Sequence, residues 1–510
     1  MKITISSLLF LSLLLASGFS GASSCTSSSN AETEATVNSS QNAPPDIAAR
    51  IRRIETGLLL PVIVKGQPGV AMKLTDRMQF FKTPGVSIAF INNGRIEWAR
   101  AYGVREVGGS EPVTTEMLFQ AGSISKPVTG MAALRLVQQG KLNLDEDVNR
   151  KLVSWKVPEN EFTKEQKVTA RRILSHTAGT TNNSVGTYVF GAELPTLPQA
   201  LGGVKPANSP PVAVDFVPGS RQRYSGGGYT ILQQLLIDTT GKSFPDFMRE
   251  TVLAPVGMKR STFEQPLPKQ LQASAAVGHN LNGEKIAGNW RVFPESAAAG
   301  LWSTPSELAR LLIEVQKSLD GKSNKILSAA TTKQMLTTQV GGWGLGFVVE
   351  GENRNARFSH GGSTDGYRCT MVAYHTGQGA VIMTNSDKGD RLADEIMRSI
   401  AREYGWSEYQ PKEKTIVKID PKVYADYVGQ YQFEFSSDYV LNVGTEAGNL
   451  TTELKQPSGQ SKAELYPESE NRFFRKDADV EITFVKDEKG LVTHLIFFQE
   501  GQEFRVKKIK

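Results

Sequence analysis

Cysteine is nearly absent from this chain. Cys25 and Cys369 are the only two in 510 residues, which excludes a disulfide-stapled scaffold. If Cys25 is lipidated or removed with a leader, no structural disulfide remains. Cys369 sits in an apolar, strand-like stretch and reads as a small buried residue. Histidine is scarce and dispersed, at positions 176, 279, 360, 375 and 494. No His-Glu-x-x-His and no other cluster has metal-ligand spacing, so neither a metal nor any other cofactor is implied. Long Lys/Arg runs with interleaved aromatics are missing as well. A net charge of +6 from 58 basic and 52 acidic residues describes a solvated surface. Nucleic acid is therefore not expected as a partner.

What is present begins with a leader. Lys2 precedes the apolar run "LLFLSLLLA" (Leu8–Ala16), and small residues follow it. That is the layout of a secretory signal, and the run is too short to span a bilayer. Cys25 after Ala22-Ser23-Ser24 resembles a lipoprotein cleavage site, so residues 1–25 read as a signal and Cys25 as a lipidation candidate. Ordinary cleavage, releasing a soluble secreted protein, is the alternative. Residues 26–46 are polar and of low complexity, a flexible linker suited to a tether. Both routes place the protein across the inner membrane, either periplasmic or anchored to the envelope.

From residue 47 to 410 the pattern is α/β. "DIAARIRRIETGLLLPVIV" reads as a helix. Thr83–Glu106 reads as a hairpin turning at Asn92-Asn93-Gly94, and Cys369–Ser386 as a second. Gly342–Gly351 is a further strand candidate, and "GDRLADEIMRSIAREYGW" an amphipathic helix. Strands at both ends of a helical middle predict a sheet that pairs N- and C-terminal strands. From 411 to 510 two-residue alternation takes over, predicting a separate antiparallel β domain of barrel type.

One segment poses a chemical question. "QAGSISKPVTGMAALRLVQQGKL" is apolar nearly all round from Val128 onward, with Gly140 at the place of a C-terminal cap. A helix of that kind is buried, and a charged lysine in its first turn is costly. Ser123 and Lys126 form the only Ser-x-x-Lys in the chain. Residues three apart face one another across a turn. A serine hydroxyl needs an adjacent base to act as a nucleophile, and desolvation makes a lysine such a base. Pro127 strains this reading, because it lies beyond the position where a helix accepts proline freely. Tyr224, ahead of three glycines and another apolar helix, supplies a phenol whose pKa a facing lysine can lower. His360-Gly361-Gly362 offers a strand that approaches a ligand closely.

In this order, Ser-x-x-Lys, Tyr-Ser-Gly and His-x-Gly resemble the serine β-lactamase and penicillin-binding-protein superfamily. "VTARRILSHTAGT" and "AAGLWSTPSELARLL" are similar to segments of its class C branch. The resemblance covers roughly residues 75–400. It implies a mainly antiparallel sheet flanked by helices with a helical subdomain. It also implies that Ser123 attacks and is acylated, Lys126 relays the proton, and Tyr224 acts as base and leaving-group acid. The N–H groups of Ser123 and Ser363 would form the oxyanion hole, with His360, Gly362 and Gly226 at the substrate.

Two positions depart from the pattern. Gly226 stands where the family has Asn, and His360 where true β-lactamases have Lys. Losing that cation weakens recognition of a carboxylate, unless Arg368 replaces it. His360 is equally readable as a structural histidine. The sequence thus predicts a serine hydrolase acting on a small-molecule or peptide ester or amide. A weakly hydrolytic penicillin-binding or sensor protein is the alternative. His176 reads as a buried loop anchor, and Trp302 and Trp343 as packing residues that could also line the pocket.

Overall fold

A computed structural model describes residues 45–510 except 68, 70, 182–184, 457, 458 and 500. The expected signal, Cys25 and all of the linker but its last two residues lie outside the described residues. The described chain forms two compact units, one of 45–52 with 73–397 and the other of 53–72 with 398–510.

The larger unit is built on a six-stranded sheet of β1 (Gly85–Asn92), β2 (Arg95–Gly103), β3 (Val348–Glu350), β4 (Arg357–Thr364), β5 (Tyr367–Tyr374) and β6 (Gly379–Thr384). Its order is β2-β1-β6-β5-β4-β3, and every neighbouring pair is antiparallel. N- and C-terminal strands do meet: Ile88 on β1 lies opposite Ile382 on β6. Both expected hairpins form. Asn93 and Gly94 carry φ of 52° and 65°, the left-handed pair that a tight two-residue hairpin turn requires. β1 is buried from Gly85 to Ile91, as a central strand covered on both faces should be.

The helical middle supplies α1 (Ser125–Gln138), α2 (Gly226–Thr240), α3 (Ser296–Ala299) and α4 (Pro305–Leu319). α1 is buried from Ser125 to Leu134, as its all-round apolar sequence demands. Pro127 causes no loss because the α-helix begins only at Ser125. The proline then falls in a first turn whose N–H groups have no intrahelical acceptor. Ser225 caps α2, its hydroxyl accepting from the Gly228 N–H at 3.1 Å. α3 is seated on α2 through the Ala297 N–H, which donates to Gln233 Oε1 at 2.8 Å.

Two expectations need correction. The predicted strand over 342–351 shrinks to Val348–Glu350. Gly341, Gly342 and Gly346 take φ of 63°, 81° and 108°, so the segment coils and buries Leu345 and Phe347 in the core instead. The predicted helix through Val64 ends at Thr56. Pro61 and the β-branched Val62-Ile63-Val64 favour extended backbone, and that triplet pairs in parallel with Lys412–Lys414.

In the smaller unit, eight strands from Gly429–Phe433 to Gln502–Lys508 close into a barrel. Closure comes from the first strand pairing with the last, Tyr431 opposite Lys508. Tyr427, Tyr431, Phe433, Phe473 and Phe484 fill its core, with Tyr427 stacked on Phe484 at 4.2 Å. Alternation in the sequence thus becomes an inside and an outside.

Candidate active site

Ser123 sits in a single 3-10 turn, Gly122–Ile124, that runs directly into α1. The turn keeps the serine half-buried while Lys126, three residues on, is 3% exposed. Lys126 Nζ donates to Ser123 Oγ at 3.0 Å and to the Ala298 carbonyl on α3 at 2.8 Å. It also lies 4.8 Å from the centre of the Tyr224 ring and 5.7 Å from that of Tyr229. Burial without a carboxylate partner drives the amine down to about 7. A neutral amine is therefore well populated at physiological pH, with its lone pair free for the hydroxyl it faces.

Tyr224 closes the triangle, its ring over Lys126 Nζ and its phenol near enough to Ser123 for that hydroxyl to favour the phenolate. Here the structure corrects an expectation. The facing lysine does not lower the phenol's pKa. Burial pushes it well up, and the Ser123 hydroxyl offsets only part of that. Near neutrality the phenol keeps its proton, so the available base among the three is Lys126.

β4 forms the opposite edge. Built on Gly362, a Cβ would fall 2.0 Å from the Ala121 carbonyl oxygen; on Gly122 it would fall 2.8 Å from the Ser363 amide nitrogen. No side chain fits at either position, and their absence lets the strand press against the Ser123 turn. The Ser363 N–H is thereby brought beside Gly122, with Ser363 itself exposed. Gly226, the buried first residue of α2, offers no side chain.

His360 is buried on the covered face of β4. Its Nδ1 lies 2.6 Å from the Gly361 carbonyl, so Nδ1 carries the proton and Nε2 is an acceptor. Burial, reinforced by the Lys126 charge, takes the ring down to about 3, so it is neutral. No fixed cation stands at this position. Arg368 does not replace it: the guanidinium lies 3.0 Å from Asp387 and donates to the Thr364 and Tyr367 carbonyls. The expectation of a substitute cation is thus corrected, since strand-end carbonyls and a carboxylate already hold the group.

Three further side chains surround the triangle, two of them expected: His176 as a buried anchor and Trp343 as a packing residue. His176 is a buried anchor with φ of 59°, its Nδ1 accepting the Ser225 N–H at 3.1 Å and its ring 4.3 Å from Tyr224. Trp343 packs against His176, Tyr224 and His360 at 4.6, 5.6 and 5.5 Å, roofing the phenol. Glu295, just before α3, is fully buried and held near 7 by desolvation. Glu295 alone among the three was missed by the sequence, where no motif marks it.

Comparison with known proteins bears on the same residues. The beta-lactamase family profile matches residues 72–403, well over half the chain and all of this triangle. The chain belongs to the beta-lactamase family. Residues 413–508 match a second profile, described as a domain of unknown function (DUF3471). Penicillin-binding protein 4* of Bacillus subtilis is 24% identical over 436 residues, 82% of this chain and 93% of that protein. Among solved structures, an octameric penicillin-binding protein homologue from Pyrococcus abyssi covers 85% of this chain and 98% of its own, at 20% identity and TM-score 0.55. EstCE1, a hydrolase with promiscuous acyltransferase activity, covers 69% and 98% at 21% identity and TM-score 0.55. At such identities the structural likeness speaks for the fold.

Proposed function

We propose that the protein is a serine hydrolase working through an acyl-enzyme on ester or amide bonds. The observation that carries this reading is the buried Lys126 amine, 3.0 Å from Ser123 Oγ and brought near neutrality by desolvation alone. Lys126 Nζ takes the Ser123 proton as Oγ bonds to the substrate carbonyl carbon. The oxygen that gains the negative charge accepts from the Ser123 and Ser363 N–H groups. As the tetrahedral adduct collapses, the leaving group departs with a proton delivered through the Tyr224 hydroxyl from Lys126. Water then enters by the reverse relay and releases the acid.

The site's charge favours an uncharged leaving side. A carboxylate there would meet a neutral histidine whose free nitrogen is an acceptor. This supports an esterase-like or amidase-like relative of class C β-lactamases over an efficient β-lactamase or carboxypeptidase. The names of relatives fit that range: D-amino acid amidase of Ochrobactrum anthropi covers 70% of this chain at 19% identity and TM-score 0.53. The leader and linker of the sequence support secretion to the periplasm or tethering through Cys25.

The test is a hydrolysis panel of an aryl ester, a chromogenic cephalosporin and a D-Ala-D-Ala peptide, with intact-mass detection of the adduct. A fluorophosphonate should add once, to Ser123, and Ser123→Ala should block it. Folded protein that neither labels nor hydrolyses any member of the panel refutes the reading. Gly226 favours a slower variant of the same chemistry, in which a β-lactam acylates Ser123 and stays bound for hours.

A further inference from the structure

Basic residues are scattered along the chain, yet the larger unit gathers five of them around one hollow. A cavity of about 460 Å³ is lined by Arg95, Arg310, Lys317, Lys322 and Lys325, none of which belongs to the Ser123 site. Its size falls within the range of small-molecule sites, about 300–1,000 Å³. Arg95 begins β2, Arg310 and Lys317 lie two turns apart on α4, and Lys322 and Lys325 follow in the segment after that helix. The whole chain carries 58 basic and 52 acidic residues, close to balance. In this lining five cations face one carboxylate, Glu314.

Glu314 does not answer those cations. It is buried, both its oxygens lie 2.8 Å from the Ser323 hydroxyl, and Oε1 also accepts the Lys325 N–H at 3.2 Å. Its charge thus fixes the segment that carries Lys322 and Lys325. The same segment is fastened again where the Lys322 N–H donates to the Lys317 carbonyl and the Ser318 hydroxyl to the Leu327 carbonyl, both at 2.7 Å. Among the described residues, Lys322 pairs with Asp320 at 2.7 Å and Arg310 reaches Glu307 only at 3.8 Å, while Arg95, Lys317 and Lys325 pair with no carboxylate. Like charges held around one concavity repel one another, and their summed field draws in an anion that relieves the repulsion.

From this we infer that the cavity is a second binding site, for a small anion that carries two linked phosphates. Two phosphate groups bring about three to four negative charges near neutral pH. That matches the three unpaired cations and the lining's excess of four, five cations less one carboxylate. A single carboxylate would leave most of this charge unanswered. Arg95 and Arg310 supply planar forks that take phosphate oxygens in pairs, and the lysines act as point charges. Ile96, Val256 and Ile313 also line the cavity and give an apolar wall to an organic group bearing the phosphates. The inference is independent of the hydrolase reading, since it uses neither Ser123 nor its neighbours.

The experiment titrates pyrophosphate into the full-length protein by calorimetry, in dilute buffer where exposed charges are weakly screened. Saturable binding with a Kd of about 1 mM or tighter is expected, and orthophosphate should bind at least about threefold more weakly. Arg95→Ala combined with Lys317→Ala should weaken pyrophosphate binding at least about fivefold. Lys164→Ala combined with Lys269→Ala removes the same charge from exposed positions outside the cavity, and should change binding less than about twofold. All four side chains are exposed, so every variant should keep the parent's thermal transition. Vesicles of phosphatidylglycerol, tested by co-sedimentation, form a second arm for a membrane surface as the source of phosphate. Titration that does not saturate by about 10 mM, a loss below about fivefold in the cavity variant, an equal loss in the control, or binding confined to vesicles overturns the inference.

Discussion

Burying an amine for which no described residue supplies a counter-ion should show as a stability defect of known sign. Lys126 falls from 10.5 to about 7 through desolvation. That shift of about 3.5 pH units corresponds to about 5 kcal/mol at 1.36 kcal/mol each. The folded state binds fewer protons than the unfolded between about 7 and 10.5. Stability therefore rises with pH across that window, and the full penalty applies below 7. Lys126→Met keeps the volume and removes the charge, but leaves the Ala298 carbonyl unmet at a cost of about 1–3 kcal/mol. At pH 6 the inactive variant should be more stable than the parent by about 2–4 kcal/mol. The advantage should narrow by about 2–3 kcal/mol by pH 9. Urea unfolding of both proteins at the two pH values, compared at constant m, measures it. Parallel pH dependence, or a variant already less stable at pH 6, would refute a lysine held neutral by burial and with it the choice of base.

Other outcomes follow from the same geometry. kcat/KM for an aryl ester should fall about tenfold per pH unit below about 7, as Lys126 gains its proton, and a flat profile from pH 5 to 8 would deny the amine its role. Tyr224→Phe should fold normally yet lose about 10²–10⁴ in kcat, checked by steady-state kinetics against the thermal transition. Gly362→Ala drives a methyl into the Ala121 carbonyl, so fluorophosphonate labelling of Ser123 should slow at least about 10²-fold. Glu295 is raised from 4.5 to about 7, so the folded state holds an extra proton and stability falls between those pH values. Glu295→Gln should abolish that fall, a difference of about 3 kcal/mol visible in the pH dependence of urea unfolding.

Much of this was legible before any fold was known. Both hairpins announced themselves by alternation, and the first also by Asn93-Gly94 between its strands, because a two-residue turn admits few residue types. The run from Val128 was apolar on every face, and a helix with no polar face has only the core to occupy. Ser123 and Lys126 stood out as a local pair three residues apart, whereas Tyr224 stood out through the glycines and apolar helix that follow it and the order of motifs. Strand propensity misread Gly342–Gly351, where glycines that tolerate left-handed backbone turned the chain into a coil. The helix expected through Val64 passed over the β-branched Val62–Val64, whose strand partner at Lys412–Lys414 lies 350 positions along the chain (412 − 62).

What amino-acid order settles alone is therefore the local: the period of each element, the hairpin turns, and a serine three residues before a lysine. The rest is decided by residues distant in the chain converging. The Lys126 amine has a lowered pKa only because it is buried against Tyr224, Tyr229 and Ala298, and Tyr224 keeps its proton for the same reason. Desolvation is a property of what surrounds a group, and three-dimensional packing alone specifies those surroundings.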